Sequence, residues 1–358
     1  MLKLAFAADK DQDSQLLYYH PGVGTMAPPG LFTRIGKTIA RLAGLAFGYG
    51  LKADVRDIYS FVMNHYRAGD RLFIFGFSRG AYTARAVSSL LHGYGLIGPG
   101  NDALVPYAIR LLWRANKART DEQRARYFEL ASEFRKTLSV ADCRPRFLGV
   151  WDTVSSVGWI GNPLSLPWTH ALPGVGIVRH AVSIDERRAF FRTNLIALEP
   201  NRDMQEVWFP GVHCDVGGGY PEAESGLSKI ALEWMIGEAA AAGMQFDPAR
   251  VDLVLGRSGQ GYAPPDPNAR LHNSETWPWW VAEFIPKKHW NRDEQRYERR
   301  ANLFRRRRLT ISPAVAETAW DRGPDYAARL PTDARKYPIS SSVSEPGSST
   351  SRLKEAAP

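Results

Sequence analysis

A chain of 358 residues, 44% hydrophobic and 23% charged, has the composition of a globular protein with room for a large core, which excludes the disordered, fibrous and disulfide-stapled classes. Its two cysteines, Cys143 and Cys214, are far apart and form neither a Cys-x-x-Cys pair nor a zinc spacing, so a reduced compartment is the default; no metal and no cofactor is expected. A net charge of +9 that is diffuse except over 299–308 predicts a solvated surface rather than a nucleic-acid partner, and no apolar run approaches the roughly 18 residues of a membrane span.

The first ten residues are too short in their apolar part for a secretory signal, so a cytoplasmic chain is expected, with export only by a machine that needs no such signal. Residues 15–19, Gln-Leu-Leu-Tyr-Tyr, predict a short strand, followed by a turn over 20–25. Residues 30–50 mix glycines with apolar residues and predict a mobile or helical insert. Over 52–66 the apolar positions Val55, Ile58, Tyr59, Val62, Met63 and Tyr66 recur at three- and four-residue spacing, the period of an amphipathic helix. Residues 71–75 form a buried-type strand and 79–91 an Ala-rich helix. The charged stretch 105–138 predicts one or two surface helices outside the sheet. Strands are expected over 146–151, within 178–184 and over 205–209, and a helix over 226–243. Residues 153–178 look like a long loop over a site. The stretch 261–292 combines prolines with Trp277, Trp279, Trp280, Phe284, Trp290, Lys287 and Lys288; a segment that dips into a lipid interface and a lid over a core are both open readings. The arginine run 305–308 is expected on a charged helix face. A single domain over 1–337 and a Ser-rich disordered tail over 338–358 complete the reading. Strands alternating with helices predict an α/β fold, a three-layer sandwich around a mostly parallel sheet.

Gly76-Phe77-Ser78-Arg79-Gly80 lies between the strand and the Ala-rich helix, the setting of a nucleophile elbow. Close approach of strand and helix backbones is the expected reason for the flanking glycines, with Ser78 at the apex and the amide of Arg79 as an oxyanion donor at the helix N-terminus. A Gly-rich turn with an N-capping serine is the plainer alternative. A serine nucleophile needs a base and the base an orienting acid, in this class in the order Ser, acid, His. His20 and His65 precede Ser78, and His92 belongs to the helix behind it. Of His170, His180, His213, His272 and His289, His213 is favoured, because it follows the strand at 205–209 and abuts Gly217-Gly218-Gly219, a backbone that must pass tightly or take positive φ. Asp152, at the end of the strand 146–151, is the favoured acid. Asp185, set in Asp185-Glu186-Arg187-Arg188, and Asp215, two residues from His213, compete with it. His213-Cys214-Asp215 as metal ligands is disfavoured because adjacent residues rarely point at one ion. Gly36-Lys37-Thr38 fails as a phosphate loop because position 31, where that pattern needs glycine, is Leu.

At these residues the chain resembles the DUF2235 family of α/β-hydrolase-like proteins, which takes in the bacterial type VI secretion phospholipase effectors of the Tle1 kind. The resemblance rests on 19–25, 69–85, Gly149-Val150-Trp151-Asp152-Thr153-Val154, 180–188 and 211–220, collinear over roughly residues 10–335. It implies a Ser-Asp-His triad carried onto Ser78, Asp152 and His213, ester hydrolysis through an acyl-enzyme, and a lipid or other ester as substrate. It further implies transient contact with a membrane surface, delivery by a secretion system and a secretion-system or immunity partner. The family usually opens with a strand and an Asp-Gly-Thr loop that supplies the second oxyanion donor; this sequence shows neither, so a sheet lacking its first strand is expected. The competing functional expectation is an inactive or truncated hydrolase-fold protein that serves as an interaction module.

Overall fold

The computed structural model describes residues 1–21, 50–118, 120–154, 158–159, 162–188, 191–259, 261–274, 283–284, 286–291 and 296–339. The insert expected over 30–50, apart from residue 50, the residues Trp277, Trp279 and Trp280, and the expected tail from residue 340 lie outside them. The first two residues of that tail, 338–339, are not disordered: the Ile339 N–H donates to Glu317 at 2.8 Å and its side chain packs against the core.

A parallel six-stranded sheet is sandwiched between helices, as the alternating pattern predicts. Helix α1 (Leu2–Ala7) is followed by α2 (Leu51–His65), strand β1 (Phe73–Phe77) and α3 (Arg79–Tyr94). Next come α4 (Val105–Ala115), α5 (Asp121–Leu138), β2 (Phe147–Trp151), β3 (Ile177–Ser183) and β4 (Asp203–Phe209). The chain continues through α6 (His213–Gly217), α7 (Gly226–Ala241) and α8 (Pro248–Val254) to a hairpin of β5 (Lys287–Asn291) and β6 (Arg296–Arg300). Strands β7 (Ala314–Ala316) and β8 (Arg335–Tyr337) extend the main sheet, whose order is β1-β2-β3-β4-β7-β8.

Side-chain alternation sorts the two faces. Phe73, Phe75 and Phe77 of β1, with Phe147 and Trp151 of β2, pack on the α1, α7 and α8 side; Ile74, Leu148 and Val150 pack on the α2 and α3 side. Helix α2 buries Val55, Tyr59, Val62 and Met63, the face its period marked. Helices α4 and α5 do lie outside the sheet, packed on the α2–α3 layer, yet α4 is no mere surface helix, since Val105, Ala108, Ile109, Leu111, Leu112 and Ala115 are buried in the core.

Residues 15–19 are not a strand. Their backbone finds no ladder partner among the described residues. The Gln15 amide binds the carbonyls of Asp9 and Gln245, Tyr18 stacks on Phe61 at 4.3 Å, and Leu16, Leu17, Tyr18 and Tyr19 are exposed. Apolar content alone did not make a strand here, because the ladder is a tertiary matter. The arginine run is not a helix face either; residues 305–308 are irregular.

The strand order explains where chemistry can gather. Parallel neighbours β1, β2, β3 and β4 present their C-terminal ends side by side, with Phe77 opposite Trp151, Trp151 opposite Ala181 and Ser183 opposite Phe209. The residues that leave these ends, Ser78, Asp152 and the 210–213 turn, therefore converge at one end of the sheet.

Candidate active site

The turn from β1 into α3 is sharp. A Cβ on Gly76 would lie 2.3 Å from the Gly80 carbonyl oxygen, so only glycine fits there, whereas a Cβ on Gly80 would meet nothing within 4 Å. The expected steric need holds at the first glycine and not at the second. Ser78 sits at the apex with φ 59° and ψ −120°, a backbone region costly for a side-chain-bearing residue, and its N–H donates to the Trp151 carbonyl at 3.0 Å. Its hydroxyl makes no N-cap bond to α3. Instead Ser78 Oγ lies 2.8 Å from His213 Nε2. The Arg79 amide begins α3, where first-turn N–H groups lack intrahelical acceptors and the helix dipole is positive.

The steric asymmetry gives a stability prediction. Gly76→Ala should lower the urea unfolding free energy by about 1–3 kcal/mol, because backbone must move to admit the methyl group. Gly80→Ala should leave it unchanged or raise it by about 0.5–1 kcal/mol, since alanine suits a helix better than glycine. Equal effects would contradict this account of the turn.

His213 opens α6, just after β4. The residue is 3% exposed, and its ring packs against Phe77 and Phe191, with centroids at 4.5 Å and 4.7 Å. The short helix can lie this close because position 217 is glycine; a Cβ there would fall 2.0 Å from the Phe77 ring. His213 Nδ1 is 2.5 Å from Asp152 Oδ2. Burial pulls the His213 imidazole below its ordinary range, while the hydrogen bond and charge of Asp152 act in the opposite sense.

Asp152, fully buried and itself at φ 39°, is surrounded by donors. Oδ1 accepts from the Ser183 N–H at 3.0 Å and from Arg307 Nη1 at 2.6 Å; Oδ2 accepts from His213 Nδ1 and from Arg307 Nη2 at 3.1 Å. Burial alone would raise the Asp152 carboxyl, but the Arg307 charge and the His213 hydrogen bond hold it far below the usual carboxylate range. An ionised carboxylate can only accept, so the imidazole proton sits on Nδ1 and the Nε2 lone pair faces Ser78. The row Ser78–His213–Asp152 can thus relay a proton from the hydroxyl to a base whose cationic form is stabilised.

The competing residues are engaged elsewhere. Asp185 accepts from the Gly211 N–H, the Tyr326 hydroxyl and Arg329. Asp215 accepts from the Val212 N–H and from the N–H and Nδ1 of His272. His180 receives the Thr153 N–H at Nε2 and donates from Nδ1 to Glu206. His170 meets the Leu195 carbonyl, and His272 is held between Asp215 and Glu224. The side chain of His289 lies outside the described residues.

Two contacts were invisible in the sequence. Glu186, inside a cluster that reads as a plain salt bridge, does pair with Arg188, but the same carboxylate accepts the His213 N–H at 3.2 Å. Burial would raise this carboxyl; Arg188 brings it down to about 2. Arg307 is the second: the one arginine of the run that turns inward onto Asp152 had no local signal. Among the described residues, no group of three or more His, Cys, Asp or Glu side chains is placed to hold a metal ion, and no helix is long and apolar enough to cross a membrane.

Comparison with known proteins places these positions in a family context. The family model for the type VI secretion system (T6SS) phospholipase effector Tle1-like catalytic domain matches residues 1–238. This span takes in positions 78, 152 and 213 and ends short of 307. An uncharacterized protein of Saccharomyces cerevisiae, YEL023C, is 34% identical over 189 residues, 51% of this chain and 27% of the relative. Two solved structures are also similar. One is a crystal structure of an uncharacterized protein from Pseudomonas aeruginosa, with TM-score 0.31 and 26% identity over 60% of this chain and 29% of that one. The other is the Tle1 effector bound to the VgrG spike from the type 6 secretion system, with TM-score 0.31 and 20% identity over 54% of this chain and 34% of that one. The chain thus spans roughly a third or less of the length of each of these relatives.

Proposed function

We propose that this chain, which belongs to the Tle1-like catalytic domain family of T6SS phospholipase effectors, is a serine hydrolase that cleaves carboxylic esters of phospholipids through an acyl-enzyme on Ser78. The observation that carries the reading is the continuous hydrogen-bonded row from Ser78 Oγ through His213 to Asp152 at the head of α3.

In this mechanism Ser78 Oγ attacks the ester carbonyl carbon while His213 Nε2 takes its proton. Asp152 stays ionised and stabilises the imidazolium. The oxyanion of the tetrahedral intermediate is met by the Arg79 amide at the positive end of α3. Collapse breaks the ester C–O bond, and His213 returns the proton to the leaving alcohol. A water molecule, deprotonated by the same imidazole, then attacks the acyl-serine; the acyl C–Oγ bond breaks, the fatty acid leaves and His213 returns the proton to Ser78 Oγ. Every proton is moved by a group of this chain. Phospholipid as substrate, contact with a lipid surface, delivery through a secretion system and an associated secretion or immunity partner are proposed from family membership.

A fluorophosphonate probe tests elbow, base and oxyanion donor together, because it traps only an activated serine. The expected result is one covalent adduct, on the peptide that contains Ser78, together with fatty acid release from phosphatidylcholine–phosphatidylglycerol vesicles. Folded protein that takes no label and releases no fatty acid would overturn the esterase reading in favour of a hydrolase fold used only for interaction.

A further inference from the structure

Asp152 is an anion without solvent, and a lone buried anion beside His213 would favour the imidazolium before any substrate arrived. The donor that offsets it comes from far along the chain. Arg307, whose side chain is 7% exposed, places Nη1 2.6 Å from Asp152 Oδ1 and Nη2 3.1 Å from Oδ2, a two-pronged grip on the carboxylate. The same guanidinium is aimed by three further acceptors: Ser183 Oγ at 2.6 Å, the Ser183 carbonyl at 3.2 Å and the Phe191 carbonyl at 2.5 Å.

The segment that delivers it is built for the purpose. Leu303 and Phe304 both take positive φ, 51° and 55°, a conformation side-chain-bearing residues adopt only when the surroundings impose it. Glu283, 1% exposed, anchors this stretch: its carboxylate accepts from Asn302 Nδ2 at 2.6 Å and from the Phe304 N–H at 3.0 Å. Asn302 Nδ2 also donates to the Arg187 carbonyl at 2.8 Å, which ties the segment to the loop beside His213.

We propose that Arg307 is a positioning residue for the hydrolysis proposed above: it fixes the Asp152 carboxylate so that Oδ2 faces His213 Nδ1, and it offsets the carboxylate charge so that His213 stays a neutral base. The inference rests on the esterase reading for its catalytic meaning. Its electrostatic content, however, is testable without turnover. The charged groups that face His213 are Asp152 from the end of β2 and Glu186 and Arg188 from the loop after β3, with Arg307 acting on the ring through Asp152. Taking the Arg307 charge away leaves the Asp152 charge to the imidazole alone. The imidazolium is then favoured, and the pH at which His213 loses its proton rises.

The test uses the full chain with ¹⁵N-labelled histidine, the His213 ring signal being assigned by its loss in His213→Gln. In Arg307→Gln the His213 titration midpoint should rise by about one pH unit, and in Arg307→Lys, which keeps the charge but not the fork, it should stay near wild type. Fluorophosphonate labelling of Ser78, measured on the alkaline plateau, should slow by about 10- to 100-fold in Arg307→Gln and by about tenfold in Arg307→Lys, as expected for a misdirected base. A purely structural role would reduce the folded fraction without moving the midpoint. A folded Arg307→Gln protein with an unmoved His213 midpoint overturns the proposal. Should that variant not fold, Arg307→Lys decides: labelling as fast as wild type overturns it. If wild type takes no label while the midpoint still moves, the esterase reading fails and the electrostatic inference stands.

Discussion

Replacing Ser78 by alanine is expected to lower kcat for ester hydrolysis by about 10⁶-fold, to a residue that no longer depends on the state of His213. Three observations set the size. Oγ is the atom His213 Nε2 reaches, at 2.8 Å; the strained elbow holds it at the tip of the turn; and no hydrogen bond from Oγ caps α3. The methyl group of alanine occupies the same strained φ, so the elbow keeps its geometry and the fold loses little. The unfolding free energy should therefore stay within about 0.5–1.5 kcal/mol of wild type, the range of one hydrogen bond. Fatty acid release from mixed phospholipid vesicles and a urea titration on the same preparations supply both numbers. More than about 1% residual activity in Ser78→Ala would place the nucleophile elsewhere.

The grouping of the site was legible because of how the sheet is laid down. Strands β1 to β4 neighbour one another in the order they occur in the sequence, so residues that leave successive strand ends become neighbours in space. Ser78 follows β1, Asp152 follows β2 and His213 lies just past β4. The elbow was legible for a steric reason, the contact at Gly76, although Gly80 does not share it. The strand read into 15–19 was wrong because a run of Leu and Tyr reports burial appetite and not a ladder partner; those side chains are largely exposed.

Arg307 was illegible for a deeper reason. Four consecutive arginines over 305–308 have identical local chemistry. In a helix or strand, periodicity would tell which of them faces inward. The segment is neither, and its direction is set by two positive-φ residues, Leu303 and Phe304, neither of which carries the usual glycine or asparagine signal. What holds them is Glu283, twenty residues or so earlier and buried. Glu186 shows the same limit on a shorter scale. Its pairing with Arg188 is local, but its bond to the His213 N–H spans strand ends and exists only in the folded sheet.

Asp152→Asn should cost about 10⁴-fold in kcat and a measurable part of the fold, and the two losses have separate causes. An amide can present an N–H to His213 Nδ1, which moves the imidazole proton to Nε2, where it faces Ser78 and can no longer accept the hydroxyl proton. The loss should persist across the alkaline plateau, since raising pH cannot correct a wrong tautomer. The stability cost comes from the other side: Arg307, almost wholly buried, would keep its Ser183 and Phe191 acceptors but lose its counter-charge. Leaving one partner of a buried pair uncompensated costs on the order of 3 kcal/mol at neutral pH. The pH dependence has a definite sign. The Asp152 carboxyl is depressed in the folded chain, so its contribution is fully present above the unfolded value of about 4 and is lost as pH falls below it. Urea midpoints of wild type and Asp152→Asn should therefore differ most near pH 7 and draw together between about pH 4 and pH 2. A gap that is constant over that range would mean the carboxylate charge does not hold Arg307, and with it would go the electrostatic account of how His213 is kept a base.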